Sequence, residues 1–276
     1  MKKVLLATSA LTLSAGFASA DVSMSGTGGA GVFGASGADL SVYSGVDLGF
    51  SLSGASDNGM TFSASLDMGG GQTLDAGDFE LDTQDMGTDD NVSVTIGVSG
   101  LTVVLSQDGV DDLYDDDIAG DIGISGAMGD LTYSITTGLE DADPTSLSIG
   151  YSAGAISGSV ATSDEGDASN VSISYAMGDI TVSAESDTDR TGADTSSVTV
   201  SYAMSDGMTV SLENSEDVNE LSVSYSSGAI SVGVTADDAA TESWEATMAY
   251  DLGGGATFNL GTNQDETTFA GVGFSF

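Results

Sequence analysis

Residues 171–185 read VSISYAMGDITVSAE. Apolar side chains occupy every second position on both sides of a short Met-Gly-Asp turn, while serine, threonine and glutamate fill the alternate positions. A period of two is typical of β-strands with one apolar and one polar face. The stretch therefore predicts one β-hairpin, in which Tyr175 closes the apolar row beside the turn.

This hairpin pattern recurs along the chain, each time with a tyrosine just before the tight turn. The repeated tyrosines follow one another at intervals of 23 to 27 residues and are Tyr151, Tyr175, Tyr202, Tyr225 and Tyr250. Such a period corresponds to one hairpin and one loop, so it predicts a repeated antiparallel meander. With the alternating segments elsewhere in the chain, the predicted number of strands is 18. Tight turns alternate with longer acidic loops between these strands.

The first twenty residues are typical of a secretory signal peptide. Lys2 and Lys3 precede an apolar run from Val4 to Phe17, and Ala18-Ser19-Ala20 forms a small-residue cleavage site. The alternative, a membrane anchor, is disfavoured because the apolar run is too short to span a bilayer. We therefore expect a signal peptide over residues 1–20 and one all-β domain over residues 21–276.

The charge of the chain is strongly negative. Because Lys2 and Lys3 lie in the leader and no acid does, residues 21–276 carry 43 acidic side chains against Arg190 alone, a formal charge of −42. Nucleic acid and anionic lipid surfaces need basic patches on their partners. The composition therefore disfavours both and favours small cations as the counter-charge. It leaves open whether the acidity serves selectivity or adaptation to high salt, where charge is strongly screened.

The chain contains no cysteine and no histidine, and it retains no lysine beyond the leader. A histidine general base, a cysteine nucleophile, a Schiff-base lysine and any imidazole or thiolate metal site are therefore excluded. We therefore expect that the chain is not an enzyme and that it has no catalytic residue and no resident cofactor. It also has no disulfide to stabilise an exported chain of this size.

An alternating β protein of this length can hide its apolar face in a soluble sandwich or turn it to lipid around a barrel. The repeated tyrosines favour the barrel because they cluster at one end of successive hairpins, as in the aromatic girdle at a membrane interface. The alternative is that they are ordinary strand residues. Six acids lie out of phase with the apolar rows, so a barrel would turn them to its wet lumen or mouth: Asp47, Asp67, Asp121, Glu185, Glu213 and Glu245.

The last strand ends with Val272, Phe274 and Phe276 on one face, together with Ala270, which looks like the terminal signal by which outer-membrane barrels are recognised by the barrel-assembly machinery. With the opening DVSMSGTGGAGVF and the segments 50–68 and 250–262, this end resembles the general diffusion porins of alphaproteobacteria. The resemblance implies a homotrimer in the lipid of a Gram-negative outer membrane, 16-stranded in that family, through which small hydrophilic solutes diffuse passively. We therefore expect an all-β fold, an antiparallel up-and-down transmembrane β-barrel of 16 to 18 strands, with short periplasmic turns and longer acidic outer loops.

Two departures from that family concern its constriction. The family folds a long loop after the fifth strand into the lumen and sets its acids against arginines on the opposite wall. Here the corresponding connection is only Asp108 to Asp117, and Arg190 lies in a loop. We expect a wider or purely acidic eyelet and hence a preference for cations. Residues 69–91 are expected to be irregular, with at most a short strand near Phe79.

The same acidic connection has three interpretations: a solvated loop, electrostatics at the pore mouth, or a Ca²⁺ site. Oxygen-rich clusters suit Ca²⁺, but no defined calcium-loop spacing is present, so the candidates are weak: Asp111, Asp112, Asp115, Asp116 and Asp117. These candidates support an alternative hypothesis, that the chain is a secreted structural or adhesive β-sheet surface protein whose acidic loops are ordered by Ca²⁺. We favour the channel hypothesis, in which the acidic loops bind Ca²⁺ only loosely.

Overall fold

The computed structural model describes residues 21–276 except 36, 58, 85–91, 115–117, 140–143, 165–167, 205 and 217. The leader predicted over residues 1–20 therefore lies outside the described residues. The regular structure of the described part is entirely β, and none of it is a helix long and apolar enough to cross a membrane.

Nineteen antiparallel strands make up the described sheet. Their bounds are β1 (Asp21–Gly34), β2 (Ser41–Ala55), β3 (Thr61–Asp75), β4 (Glu80–Gln84), β5 (Val92–Val98), β6 (Leu101–Asp111), β7 (Ala119–Met128), β8 (Leu131–Thr137), β9 (Thr145–Ala153), β10 (Ile156–Ser163), β11 (Ser169–Met177), β12 (Ile180–Thr188), β13 (Asp194–Ala203), β14 (Met208–Ser215), β15 (Asn219–Ser227), β16 (Ile230–Asp237), β17 (Trp244–Gly253), β18 (Ala256–Asn263) and β19 (Thr268–Ser275).

Each strand pairs with its neighbour in sequence, and β19 pairs with β1, so the sheet closes on itself. The exception is β4, which pairs with the end of β3 alone, while β3 also pairs directly with β5. Eighteen strands therefore form a closed up-and-down barrel, and β4 is an addition to it. The predicted fold is confirmed, at the upper end of the predicted strand number.

The predicted hairpin at residues 171–185 is present as β11 and β12, with Tyr175 opposite Val182 and Ile173 opposite Ala184. Because side chains alternate across a strand, this register puts the whole apolar row on one face. The same face is apolar and exposed around the barrel, for example at Ile173 and Val200. The apolar rows therefore point outward, and the serine- and threonine-rich rows line the interior.

The two ends of the barrel differ. One end, the short-turn end, has two-residue turns such as 178–179 and 228–229, and β1 begins and β19 ends there. The other end, the long-loop end, carries the longer connections, including 112–118 and 238–243. Arg190 lies in the connection between β12 and β13 at the long-loop end, as the sequence predicts.

The expectation that residues 69–91 are irregular is wrong for the described part of that segment. β3 continues to Asp75, and β4 returns alongside it with Leu74 opposite Leu81 and Asp75 opposite Glu80. The physical reason lies at Gly71, whose φ of 83° is open to glycine but strained for other residues. There β3 leaves β2 and pairs instead with β4.

The buried aromatic side chains are few and come from one part of the barrel. Among the described residues, the large buried aromatic side chains are Tyr43, Phe79 and Phe269. Tyr43 and Phe269 are on the inward faces of β2 and β19, and Phe79 is at the tip between β3 and β4. The Phe79 and Phe269 rings are therefore buried where the hairpin of β3 and β4 meets the inner wall.

Candidate channel lumen

The inner wall of the barrel is a hydroxyl surface. Serines and threonines on neighbouring strands hydrogen-bond across the inward face, as in Ser159 with Ser172 at 2.8 Å and Ser222 with Thr235 at 3.1 Å. These hydroxyl groups keep capacity for further donors and acceptors. The wall can therefore stay wet, which an apolar core cannot do.

The six acids that the sequence assigns to the lumen or its mouth all lie on inward faces. Asp47 on β2 and Asp67 on β3 are diagonal neighbours, since Asp47 is opposite Gly69 and Asp67 is opposite Gly49. Asp121 accepts hydrogen bonds from the backbone N–H of Leu139 at 2.7 Å and of Asp108 at 3.2 Å. Asp121 thus holds two segments of the long-loop end together as well as adding charge.

Glu185 and Glu213 belong to one concavity in the inner wall. It has a volume of about 450 Å³, and Asp187 and Glu216 line it as well. The Asn170 amide donates to Glu185 at 2.7 Å, and the Thr199 hydroxyl donates to Glu213 at 3.3 Å. These uncharged donors fix the carboxylates in place without neutralising them. The structure therefore brings together two predicted acids and adds two that the sequence interpretation does not single out.

Glu245, the sixth predicted acid, faces the interior from β17. Its carboxylate is close enough to Glu220 on β15 and to Asp78 at the hairpin tip for these charges to act on it. Asp78 comes from a different part of the chain and reaches this wall because the hairpin crosses the interior. Three negative charges on separate elements therefore lie on the same side of the barrel interior.

The hairpin formed by β3 beyond Gly71 and by β4, residues 72–84, lies inside the barrel; we call it the inner hairpin. The backbone of Gln72 passes directly over the inward face of Gly45, where an added Cβ would meet it at 2.5 Å. Further along, Thr73 and Leu74 border a cavity of about 320 Å³ whose other walls include Thr257 and Asn259 of β18. The inner hairpin therefore crosses from β2 toward the wall formed by β17 to β19.

The tip of the inner hairpin is anchored by two aromatic rings. Phe79 contacts Phe269 with the ring centroids 5.2 Å apart and the planes inclined by 58°. Asp75 accepts from the backbone N–H of Gly77 at 2.8 Å and shapes the turn before the tip. Tilted aromatic pairs are favourable beyond the area they bury, so this contact holds the tip against β19.

The connection after β6 also bends inward, but at the long-loop rim. Asp112 is 5% exposed and accepts a hydrogen bond from the hydroxyl of Ser163, the last residue of β10, at 3.2 Å. Leu113 donates from its backbone N–H to the Ser146 hydroxyl at 2.9 Å, near the start of β9. The connection predicted over Asp108–Asp117 is therefore partly wrong, because Asp108 and Asp111 still belong to β6.

The two candidate Ca²⁺ ligands that the structure describes do not form a common site. Asp111 is exposed on β6, whereas Asp112 is turned inward and hydrogen-bonded to Ser163 and to the backbone N–H of Tyr114. Asp115, Asp116 and Asp117 lie outside the described residues. Within the part of the chain that is described, no group of three or more acidic side chains has metal-binding geometry.

The five repeated tyrosines lie on outward faces near the short-turn end, each 41% to 46% exposed. Tyr133 on β8 faces outward at the same level and was missed because its hairpin lies outside the clearest repeat. All six are on β8 to β17, and the remaining tyrosines are Tyr43 inside and Tyr114 on the rim. The outward tyrosines therefore cover one sector of the barrel and leave β1 to β7 without any.

The end of β19 seals the barrel. Val272, Phe274 and Phe276 share the outward face, and the Phe274 and Phe276 rings lie over Gly28 and Gly26 of β1. Gly26 and Phe276 exchange backbone hydrogen bonds of 3.1 and 3.0 Å. Glycines in β1 leave room for the aromatic rings of β19, which is how these neighbouring strands fit closely.

Two acids of the long-loop connections have lowered pKa values. The backbone N–H of Ala193, then the Thr191 hydroxyl, hold the pKa of Asp189 below its ordinary value. The backbone and side chain of Asn219 lower the pKa of Asp238 in the same way. Hydrogen bonds to the charged form favour it, so these loops keep their negative charge at neutral pH.

Sequence interpretation missed the inner hairpin. The only signals were the glycine run 69–71, which allows β3 to bend, and an isolated Phe79 in an acidic segment. Neither follows the two-face alternation that identified the barrel strands. A strand that leaves the barrel wall no longer has lipid on one face and water on the other, so its apolar residues need not alternate with polar ones.

Comparison with known proteins places this fold. The chain matches the family model described as Gram-negative porin over residues 7–270. A triple mutant of the Rhodopseudomonas blastica porin is 17% identical, with a TM-score of 0.60 over 93% of this chain and 100% of its own. A porin refined at 1.8 Å resolution, also 17% identical, gives a TM-score of 0.57 with the same coverage.

A loop L8 deletion mutant of OmpT, an outer membrane protein of Vibrio cholerae, is 10% identical and gives a TM-score of 0.53 over 93% of this chain and 99% of its own. No curated protein sequence gives a significant match. At these identities the structural similarities concern the fold.

Proposed function

This chain belongs to the Gram-negative porin family, and from that premise we propose that it forms a cation-preferring channel for passive diffusion of small hydrophilic solutes and ions across the outer membrane. The family and the fold are those of a channel protein rather than an enzyme. The observation that carries the proposal is the closed 18-stranded wall, apolar outside and lined with hydroxyl and carboxylate groups inside.

Cation preference rests on the sign of the interior charge. The described strands carry inward carboxylates at Glu185, Glu213 and Glu245 and no basic residue, and Arg190 belongs to a connection at the long-loop end. Rings of acidic side chains raise the local concentration of cations and repel anions. Neutral solutes would pass by size alone.

The proposal includes a homotrimer. Outward tyrosines mark where an aromatic girdle meets lipid headgroups, and here they cover β8 to β17 only. The outward face from β1 to β7 carries apolar groups without tyrosine, such as Val46, Ala64 and Phe62. That sector is where a second copy of the chain would replace lipid.

Export and assembly belong to the same proposal. Residues 1–20 would be removed on export, and Val272, Phe274 and Phe276 would be read by the barrel-assembly machinery. The channel is proposed to need no resident cofactor. Divalent cations such as Ca²⁺ would associate only loosely with the acidic loops of the long-loop end.

Reversal potential across a planar bilayer tests this function. Purified protein is added under a tenfold KCl gradient, and stepwise conductance with a potential of cation-selective sign is the expected result. Stepwise conductance without selectivity would keep the pore and refute the cation preference. The channel itself would be refuted if the protein gives no conductance although heat-dependent gel migration shows that it is folded.

A further inference from the structure

We infer that the inner hairpin, residues 72–84, is the constriction of this pore and sets both its size limit and its charge selectivity at mid-depth. The inference rests on the proposed channel function and concerns which element narrows it. The resemblance points to the connection after the fifth barrel strand, which is β6, whereas the inner hairpin follows the third strand.

Depth distinguishes the two inward segments. The contacts of the connection after β6 are with Ser163, Ser146 and Asp187, all within two residues of the long-loop ends of their strands. The tip of the inner hairpin is at a similar level, since Phe269 is the second residue of β19, but Thr73 and Leu74 border a cavity with Thr257 and Asn259, which lie deeper along β18. The connection after β6 therefore narrows only the mouth, whereas the inner hairpin extends from the long-loop side to the middle of the passage.

The inner hairpin is docked to the wall at both of its ends. At its base, the absence of a side chain at Gly45 lets the Gln72 backbone lie against β2. At its tip, Phe79 adopts a φ of 56°, which is uncommon for a bulky residue, and is 7% exposed against the Phe269 ring. A strained backbone is kept only where surrounding contacts determine it. The hairpin therefore has one preferred position inside the barrel.

Its water-facing side is acidic. Asp78 and Glu80 are exposed on the inner hairpin, and Ala76 and Gly77, next to Asp78, line one cavity with Glu245 of β17. The inner hairpin and the wall that it docks against therefore carry charge of the same, negative sign. Such a passage admits cations and small neutral solutes, and it excludes anions by charge and larger neutral solutes by size.

Thiol labelling tests this placement directly, because the chain has no cysteine of its own. In an Asp78→Cys variant, a bulky uncharged methanethiosulfonate reagent is applied to open channels in a bilayer. We expect a stepwise loss of single-channel conductance. The control is Asp57→Cys, an exposed turn residue at the short-turn end, where labelling should leave conductance nearly unchanged.

Displacing the inner hairpin tests the size limit. Gly45→Ala forces a Cβ against the Gln72 backbone, and Phe79→Ala removes the tip anchor, so liposome swelling should show faster entry of trisaccharides relative to pentoses. The matched control is Gly49→Ala, on the same inward face of β2, where an added Cβ meets only the Ser25 hydroxyl at 3.3 Å.

The outcomes separate this inference from the channel function. The constriction would be overturned, and the channel kept, if wild-type protein conducts but labelling leaves the conductance of Asp78→Cys unchanged. The ratio of sugar entry rates in Gly45→Ala and Phe79→Ala would then also equal that of the wild type. A folded wild-type protein without conductance would overturn both. Each variant is scored only after heat-dependent migration shows that its barrel has formed.

Discussion

Tyr114, on the connection after β6, donates its hydroxyl hydrogen bond to the Asp187 carboxylate on β12 at 3.0 Å. With Asp112 held by Ser163, this bond fixes the start of that connection against the rim formed by β9 to β12. The connection thereby narrows one side of the mouth and brings an aromatic ring beside a lumen carboxylate.

Tyr114→Phe should free this connection while keeping the ring. A hydrogen bond to a charged group contributes about 1.5 to 3 kcal/mol, and this part-buried one should lie toward the low end. We expect faster proteolytic cleavage near residues 112–118 in intact outer membranes and larger current fluctuations in bilayers. Unchanged cleavage and noise would show that Asp112 and Ser163 hold the connection by themselves.

Phe269→Ala should lower the free energy of unfolding by about 3 kcal/mol, as is usual when a fully buried aromatic ring is removed. Denaturant titration in lipid vesicles measures it, with Phe269→Leu as the milder control. A double-mutant cycle with Phe79→Ala should give a coupling of about 1 kcal/mol, the usual value for an aromatic pair. Additive effects would mean that the two rings do not stabilise each other.

Glu185→Gln with Glu213→Gln should reduce the cation preference at low salt. Both side chains line the same concavity, and their amide replacements keep the donors from Asn170 and Thr199 partnered. The difference from wild type should shrink from 0.1 to 1 M KCl, because the Debye length falls from about 10 to about 3 Å. Asp179→Asn, in the 178–179 turn, is the control, and an equal effect there would argue against a local role for the concavity.

The turn that contains Asp189 should lose stability in acid. Its pKa is lowered in the folded chain, by the Ala193 backbone N–H first and the Thr191 hydroxyl next. The stabilisation is therefore complete above the unfolded pKa of about 4 and is lost as pH falls through the lower folded value. Relative to the intrinsic rate at each pH, hydrogen exchange at the Ala193 amide should speed up across that window, and this loss of protection should vanish in Asp189→Asn.

Phe276→Ala should impair assembly more than stability. The backbone bonds between Gly26 and Phe276 remain, and only the ring over Gly26 is lost. We expect less folded barrel in cells but a nearly normal denaturation midpoint after refolding in detergent. Phe258→Ala on the neighbouring strand is the control. Equal losses in cells and in detergent would assign the ring a packing role instead of a recognition role.

The barrel strands were predictable because one physical rule governs them. Lipid outside and water inside impose a strict alternation, so the register of Tyr175 opposite Val182 follows from sequence. The rule fails at residues 72–84, where the chain leaves the wall and has protein on one side only. It also fails at Asp112, since nothing in a run of aspartates identifies the one that becomes buried. The barrel could thus be predicted, but its narrowest part could not.

The hydrogen bonds between Gly26 and Phe276 have a kinetic consequence. They close the 18-stranded wall, but they join its first strand, β1, to its last strand, β19. Until those strands meet, β1 and β19 each expose a row of backbone donors and acceptors, which is a template for aggregation. Pairing over such a sequence separation is slow, because loop-closure entropy opposes it. The incomplete barrel must therefore be kept soluble and shielded until its last strand is in place.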